Sequence, residues 1–104
     1  MPTARRVLWA PAAKRDLRDI WRHYARNASP DIADNLLREI SRAAERAGEN
    51  PLAWRARDEI RPGLRSVLAR PYSVFYRIRN DAVEIVRVLH ERRDFSTAFS
   101  KDEG

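Results

Sequence analysis

Hydrophobic and polar positions along the chain follow two periods, one in the first half and another in the second. From Ala13 the apolar residues fall at Ala13, Leu17, Ile20, Trp21 and Tyr24, spaced i, i+4, i+7, i+8 and i+11. That spacing is one stripe of an amphipathic helix. Lys14, Arg15, Asp16, Arg18, Asp19 and Arg22 form its polar face. Pro11 suits the first turn, where its missing N–H costs nothing, and Asn27 is a left-handed stop. Ser29-Pro30-Asp31 then restarts a helix, with Ser29 as N-cap and Asp31 favourable against the dipole. Its stripe is Ala33, Leu36, Leu37, Ile40, Ala43, Ala44 and Ala47; Gly48 ends it and Pro51 prevents resumption. So short a connection predicts an antiparallel helical hairpin, and the alanines of the second helix permit a close approach.

The second period is that of strands. Arg5 to Ala10 (RRVLWA) reads as a short strand with Val7 and Trp9 on one face and Leu8 on the other. Asn50 to Gly63 has no clean period and is expected to be an ordered connector, with Trp54 pinned to the core. Leu64–Arg70, Tyr72–Arg79 and Ala82–His90 are rich in Val, Ile, Phe and Tyr, the composition of a pleated, half-buried surface. Arg70-Pro71 and Asn80-Asp81 separate them as tight turns; both Asn80 and Asp81 tolerate a left-handed backbone. Asp94 to Phe99 is expected to add a helical turn, and residues 100–104 a tail. The predicted architecture is α+β: an N-terminal strand, an antiparallel two-helix hairpin, then a three-stranded antiparallel meander. The helices would pack on one face of the sheet, in one domain spanning 1–104 and ordered over about 5–99.

Two-residue turns also predict a register. Arg79 pairs with Ala82, placing Arg77 opposite Glu84, Tyr76 opposite Ile85 and Val74 opposite Arg87. Likewise Ala69 pairs with Tyr72, Val67 with Val74 and Arg65 with Tyr76. Two surfaces follow. One collects Leu64, Ser66, Leu68, Phe75, Val86 and Val88, and is expected beneath the helices. The other collects Arg65, Val67, Tyr72, Val74, Tyr76, Ile85, Arg87 and Leu89. Arginine among tyrosine and aliphatic side chains suits an interface, so this face is expected to stay open. A one-residue slip at either turn would invert the assignment.

Composition narrows the chemistry. Net charge is +6 over 104 residues, and 19 of the 21 basic residues are arginine. That balance favours an anionic partner, nucleic acid or an acidic protein segment, although arginine-rich usage also follows from a GC-rich genome. There is no cysteine, and His23 and His90 form no metal-ligand spacing, so neither a metal nor a cofactor is expected. No apolar run is long enough to span a membrane, and no apolar segment follows the basic Met1 to Arg6 stretch. A cytoplasmic protein is the plain expectation. With glycine only at 48, 63 and 104 there is no phosphate-cradling loop.

The order of these fragments resembles the ParE branch of the RelE/ParE toxin superfamily. The matching residues are Pro11, Ala12, Ala13, Leu17, Ile20 and Tyr24; Pro62 to Ser66 (PGLRS); Tyr72, Phe75, Tyr76 and Arg77; and Ile85, Arg87 to His90, Arg93 and Asp94. Such a resemblance implies the toxin of a type II toxin–antitoxin, plasmid-stabilisation pair. A cognate antitoxin, ParD-like or related, would hold it in a hetero-oligomer through a segment that folds along the toxin. Two docking places are expected. One is the face with Arg65, Tyr72, Val74, Tyr76 and Arg87; the other is the groove between Leu17, Trp21, Leu36 and Ile40.

The superfamily also implies two activities. ParE-type members poison DNA gyrase and so stall replication, which needs no catalytic residue; here Arg92, Arg93 and Phe95 would meet the target. RelE-type members cleave mRNA and need basic groups around the scissile phosphate with an acid or base. Arg65, His90 and Arg93 are the candidates for that role. Neither tyrosine nor histidine occurs after His90, where such nucleases carry one, so the gyrase reading is preferred. A catalytically silent antitoxin-binding module is the third possibility.

Overall fold

The computed structural model describes residues 4–103, with side chains as far as 100. In chain order the elements are β1 (Arg6–Trp9), α1 (Pro11–Asn27), α2 (Pro30–Glu49), β2 (Arg55–Ala56), β3 (Arg65–Ala69), β4 (Tyr72–Arg79), β5 (Ala82–His90) and α3 (Phe95–Glu103). The five strands form one mixed sheet in the order β1-β5-β4-β3-β2. β1 runs parallel to β5, and the other pairings are antiparallel. The expected meander is therefore the centre of a larger sheet. β2 is two residues long, too short to announce itself as a strand in the sequence.

Helix starts follow their local chemistry. The Ser29 hydroxyl accepts from the Ile32 amide at 3.2 Å, so α2 begins with one otherwise orphaned N–H satisfied. α1 has no side-chain cap and begins on Pro11. Asn27 is not a left-handed stop: it lies within α1 and donates its side-chain amide to the His23 carbonyl at 2.7 Å. Gly48 does not end α2 but lies buried in its last turn, where it meets β1. A Cβ there would stand 2.8 Å from the Arg5 carbonyl oxygen and 3.0 Å from Val7 Cγ2. The Arg5 amide donates to the Gly48 carbonyl at 2.9 Å, tying the two segments together.

Of the pair at the β4–β5 turn, Asn80 alone takes a left-handed φ, +56°. From that turn the register runs as expected through Tyr76 opposite Ile85. Beyond it β5 bulges. Phe75 pairs with Arg87 while Tyr76 pairs with Ile85, which leaves Val86 without a partner. A bulge inserts one residue and reverses the alternation beyond it. Val74 accordingly faces Val88, not Arg87.

As far as the bulge the two sheet faces are covered the opposite way from expectation; beyond it the reversed alternation leaves Val88 beneath the helices, as expected, and Leu89 on the other face. Val67, Tyr72, Val74, Tyr76, Ile85 and Val88 pack beneath α1 and α2 with Ala13, Ile20, Ile40 and Ala44. Leu64, Phe75 and Leu89 lie on the other face and are covered by Ala98 and Phe99 of α3. Helices thus sit on both faces, not one. The segment expected to be a tail from residue 100 is helical to Glu103, and Gly104 lies outside the described residues.

Candidate interaction surfaces

Tyrosine can line a core when its hydroxyl finds a partner, and that is how the expected open face becomes an interior. Tyr76 is fully buried and donates its hydroxyl to the Pro51 carbonyl at 2.5 Å. Burial pushes its hydroxyl up to about 12, with the Arg65 guanidinium pulling the other way. Tyr72 is buried beside Tyr24, and desolvation together with the hydrogen bond between the two hydroxyls raises it above the ordinary phenol value. Val74 is wholly enclosed. Arg65 bends over the sheet edge to donate to the carbonyls of Trp54 (2.7 Å) and Leu52 (3.3 Å).

Arg87 is likewise inside. Its Nε and Nη2 donate to the two carboxylate oxygens of Asp16 at 2.8 and 2.9 Å, and the Val88 amide donates to Asp16 Oδ2 at 2.9 Å. Both side chains are nearly buried, at 11% and 12% exposure. The expectation that Tyr72, Val74, Tyr76 and Arg87 present an open docking face is corrected: they join the helices to the sheet. Asp16, read as part of the polar face of α1, is the partner that spacing alone does not reveal.

The second expected docking place is an open groove along the helical hairpin. Leu17, Trp21 and Leu37 line it with Arg18 and Arg22, enclosing about 260 Å³. Trp21 is held across the hairpin by donating its indole N–H to Asp34 Oδ1 at 2.8 Å. Leu36 is half-buried beside this region, whereas Ile40 is fully enclosed in the core and offers nothing to a partner.

The three residues expected to support RNA cleavage do not converge. Arg65 pairs with Tyr76 and His90 with Tyr72, on strands either side of β4. Four residues of strand separate them by roughly 13 Å along the sheet. His90 Nδ1 accepts the Arg92 amide at 3.1 Å, and its ring meets Tyr72 edge-on at 5.4 Å. Arg93 is exposed in the turn after β5 and donates its amide to the His90 carbonyl. Of the residues expected to meet a target, Arg92 and Arg93 are exposed, but Phe95 turns inward onto Phe75 with ring centroids 4.9 Å apart.

A third surface went unread in the sequence. Between the end of α2, the connector around β2, β3 and the start of α3 lies a cleft of about 450 Å³ lined by Arg46, Arg55, Arg57 and Arg70, with Trp54 and Phe95 as aromatic walls. These arginines come from three separate segments, the end of α2, the connector around β2 and the β3–β4 turn, so no basic run marks them. Among the described residues, no three His, Asp or Glu side chains group as metal ligands, and no helix is long and apolar enough to cross a membrane.

A sheet with a helical hairpin on one face and a short C-terminal helix on the other defines a small α+β protein of the kind found in toxin–antitoxin modules. Residues 7–95 match the family described as ParE toxin of type II toxin-antitoxin system, parDE, and the chain belongs to that family. It is similar to Toxin ParE1 of Mycobacterium tuberculosis (strain ATCC 25618 / H37Rv), at 42% identity over 86% of this chain and 92% of that protein. Its fold is similar to a chain of a chromosomal ParDE toxin–antitoxin system from P. aeruginosa, with a TM-score of 0.74 at 24% identity over 84% of this chain and 96% of that one. A chain of the RelBE2 toxin–antitoxin complex from Mycobacterium tuberculosis is more distant, with a TM-score of 0.58 at 24% identity over 86% and 94% of the two chains.

Proposed function

We propose that this ParE-type toxin is held inactive by a cognate antitoxin whose amphipathic segment seats in the groove of Leu17, Trp21 and Leu37, and that its target is DNA gyrase. The observation that carries the antitoxin reading is the groove itself. It is apolar along its floor, open to solvent, and rimmed by Arg18 and Arg22. A helix with an apolar stripe and acidic flanks complements it in shape and charge. The two structural relatives come from toxin–antitoxin systems, which adds weight to a partner of this kind.

For the target, the support is the family together with the geometry of the alternative. Inhibition of gyrase by contact requires a surface, not a catalytic set, and the candidates for RNA cleavage lie apart. The exposed Arg92 and Arg93 at the β5–α3 turn are then the first residues to test for target contact.

The experiment is induced expression in bacteria lacking the antitoxin, scoring growth, SOS induction and transcript integrity together. Growth arrest with filaments, an SOS response and intact mRNA is the expected result. Rapid mRNA cleavage without SOS would replace gyrase with RNA as the target. Healthy growth despite soluble protein would leave a silent antitoxin-binding module.

A further inference from the structure

We propose that the arginine-lined cleft at the free end of β3 is a binding site for a nucleoside phosphate, separate from the antitoxin groove. Its size falls in the range of small-ligand sites, at about 450 Å³. Its chemistry divides into a charged rim, aromatic walls and a fixed floor. Arg46, Arg55 and Arg70 form the rim. Glu91 is the acidic residue among the lining side chains, and it meets Arg70 at 3.5 Å in a pair whose arginine is 73% exposed. An exposed pair of that kind holds its members weakly, so Arg70 is available to a stronger anion. Guanidinium groups fork onto phosphate oxygens with two donors each.

The floor is Arg57, which is buried. Its Nε donates to Glu59 Oε2 at 2.9 Å and its Nη1 to the Ser66 hydroxyl at 3.3 Å. The guanidinium carbon stands 5.5 Å from the Phe75 ring centroid and 5.2 Å from that of Phe95. Glu59 neutralises this arginine, so net attraction comes from the rim, and Arg57 contributes a donor held in one orientation. Among the described residues its Nη2 has no hydrogen-bond partner. Trp54 is fixed by donating its indole N–H to the Arg46 carbonyl at 3.1 Å. A ring anchored in this way beside arginines suits a nucleobase, because base stacking on an aromatic face tolerates any base.

An acidic peptide added to the edge of β3 would use the same arginines, but the backbone argues against it. β2 already covers Arg65 and Ser66, β3 ends at Ala69, and the Leu68 carbonyl accepts from Arg46 at 3.4 Å. Little edge is left for a strand.

Titration of the full chain with adenosine diphosphate, inorganic phosphate, hexathymidylate and hexaglutamate, followed by calorimetry and tryptophan fluorescence, tests the site. Adenosine diphosphate is expected to bind more tightly than phosphate, and Arg55→Glu and Arg70→Glu each to weaken it about tenfold or more. Both residues are exposed, so the variants should fold; thermal unfolding checks this. Arg38→Glu, an equal charge change on the exposed face of α2, is expected to alter affinity by less than about twofold. Tighter binding of hexathymidylate than of the mononucleotide would identify a single strand as the source of the ligand, and the reverse order a free nucleotide; either supports the site. Absence of binding, equal affinity for phosphate, equal loss in Arg38→Glu, or displacement by hexaglutamate as effective as by hexathymidylate would overturn it.

Discussion

Asp16 takes three hydrogen bonds, two from the Arg87 guanidinium and one from the Val88 amide, and so ties the middle of α1 to β5 just past its bulge. Losing one member of such a nearly buried pair costs roughly 3–5 kcal/mol. Asp16→Ala should therefore destabilise the fold by about that amount in urea unfolding. The double replacement Asp16→Leu with Arg87→Met should cost much less, because an apolar pair strands no charge. Equal losses in the two variants would mean that the packing of α1, not the ion pair, dominates. Neither partner could be found from the sequence: Asp16 lies among five other polar residues of α1, and Arg87 follows a bulge that no residue type announces.

Tyr76 yields a prediction about pH at the same scale. Its folded value lies at about 12, above the ordinary phenol value, because burial penalises the phenolate. A group with a raised folded value contributes stability that is intact below the unfolded value and lost as pH rises towards the folded one. Between about pH 10 and 12 the unfolded chain sheds this proton and the folded chain keeps it, so stability falls by about 1.4 kcal/mol per pH unit per tyrosine. Tyr72, shifted in the same direction, adds to the slope. Thermal midpoints should drop steeply across this window. Tyr76→Phe should flatten the drop, while costing about 1 kcal/mol at neutral pH through the lost bond to the Pro51 carbonyl.

At the scale of elements, periodicity was informative and coverage was not. Both long helices, the three central strands and the register around the Asn80-Asp81 turn follow from spacing and turn chemistry. Which face the helices take depended on a choice between two apolar sets of similar size. The arginines among the tyrosines decided it wrongly, because the partners that let these side chains lie inside, Tyr24 and the Pro51 carbonyl for the tyrosines and Asp16 for Arg87, are remote in sequence. The underread element is α3, where Ala98 and Phe99 close the second core. Phe99 meets Phe75 at 5.1 Å, and the Arg61 guanidinium stands 5.1 Å from its ring while Arg61 Nη2 donates to the Phe99 carbonyl. Phe99→Ala should cost about 3–5 kcal/mol, the usual range for emptying a buried phenylalanine site. Native-state hydrogen exchange should show where the loss falls: α3 amides lose protection first, while those of α1 and α2 keep most of theirs. Uniform loss across the chain would mean that α3 unfolds only with the whole domain.

At the scale of the molecule, the net charge of +6 and the apolar hairpin groove make separable contributions to a complex with an acidic, amphipathic partner. Rim charges act mainly on encounter, whereas buried anchors act mainly on residence. If the groove seats the antitoxin, Trp21→Ala should speed dissociation by more than about tenfold, as the loss of an aromatic anchor does. Trp21 is only half-buried in the free toxin, so the variant should still fold. Arg18→Glu and Arg22→Glu should instead slow association and flatten its dependence on salt, with smaller changes in dissociation. Surface-bound antitoxin with the toxin variants in flow would measure both rates. An antitoxin cut before its C-terminal half should fail to bind at all. Unchanged rates for Trp21→Ala would place the antitoxin elsewhere on the molecule. Retained growth arrest by Trp21→Ala, no longer relieved by the antitoxin, would show that neutralisation and toxicity use different surfaces.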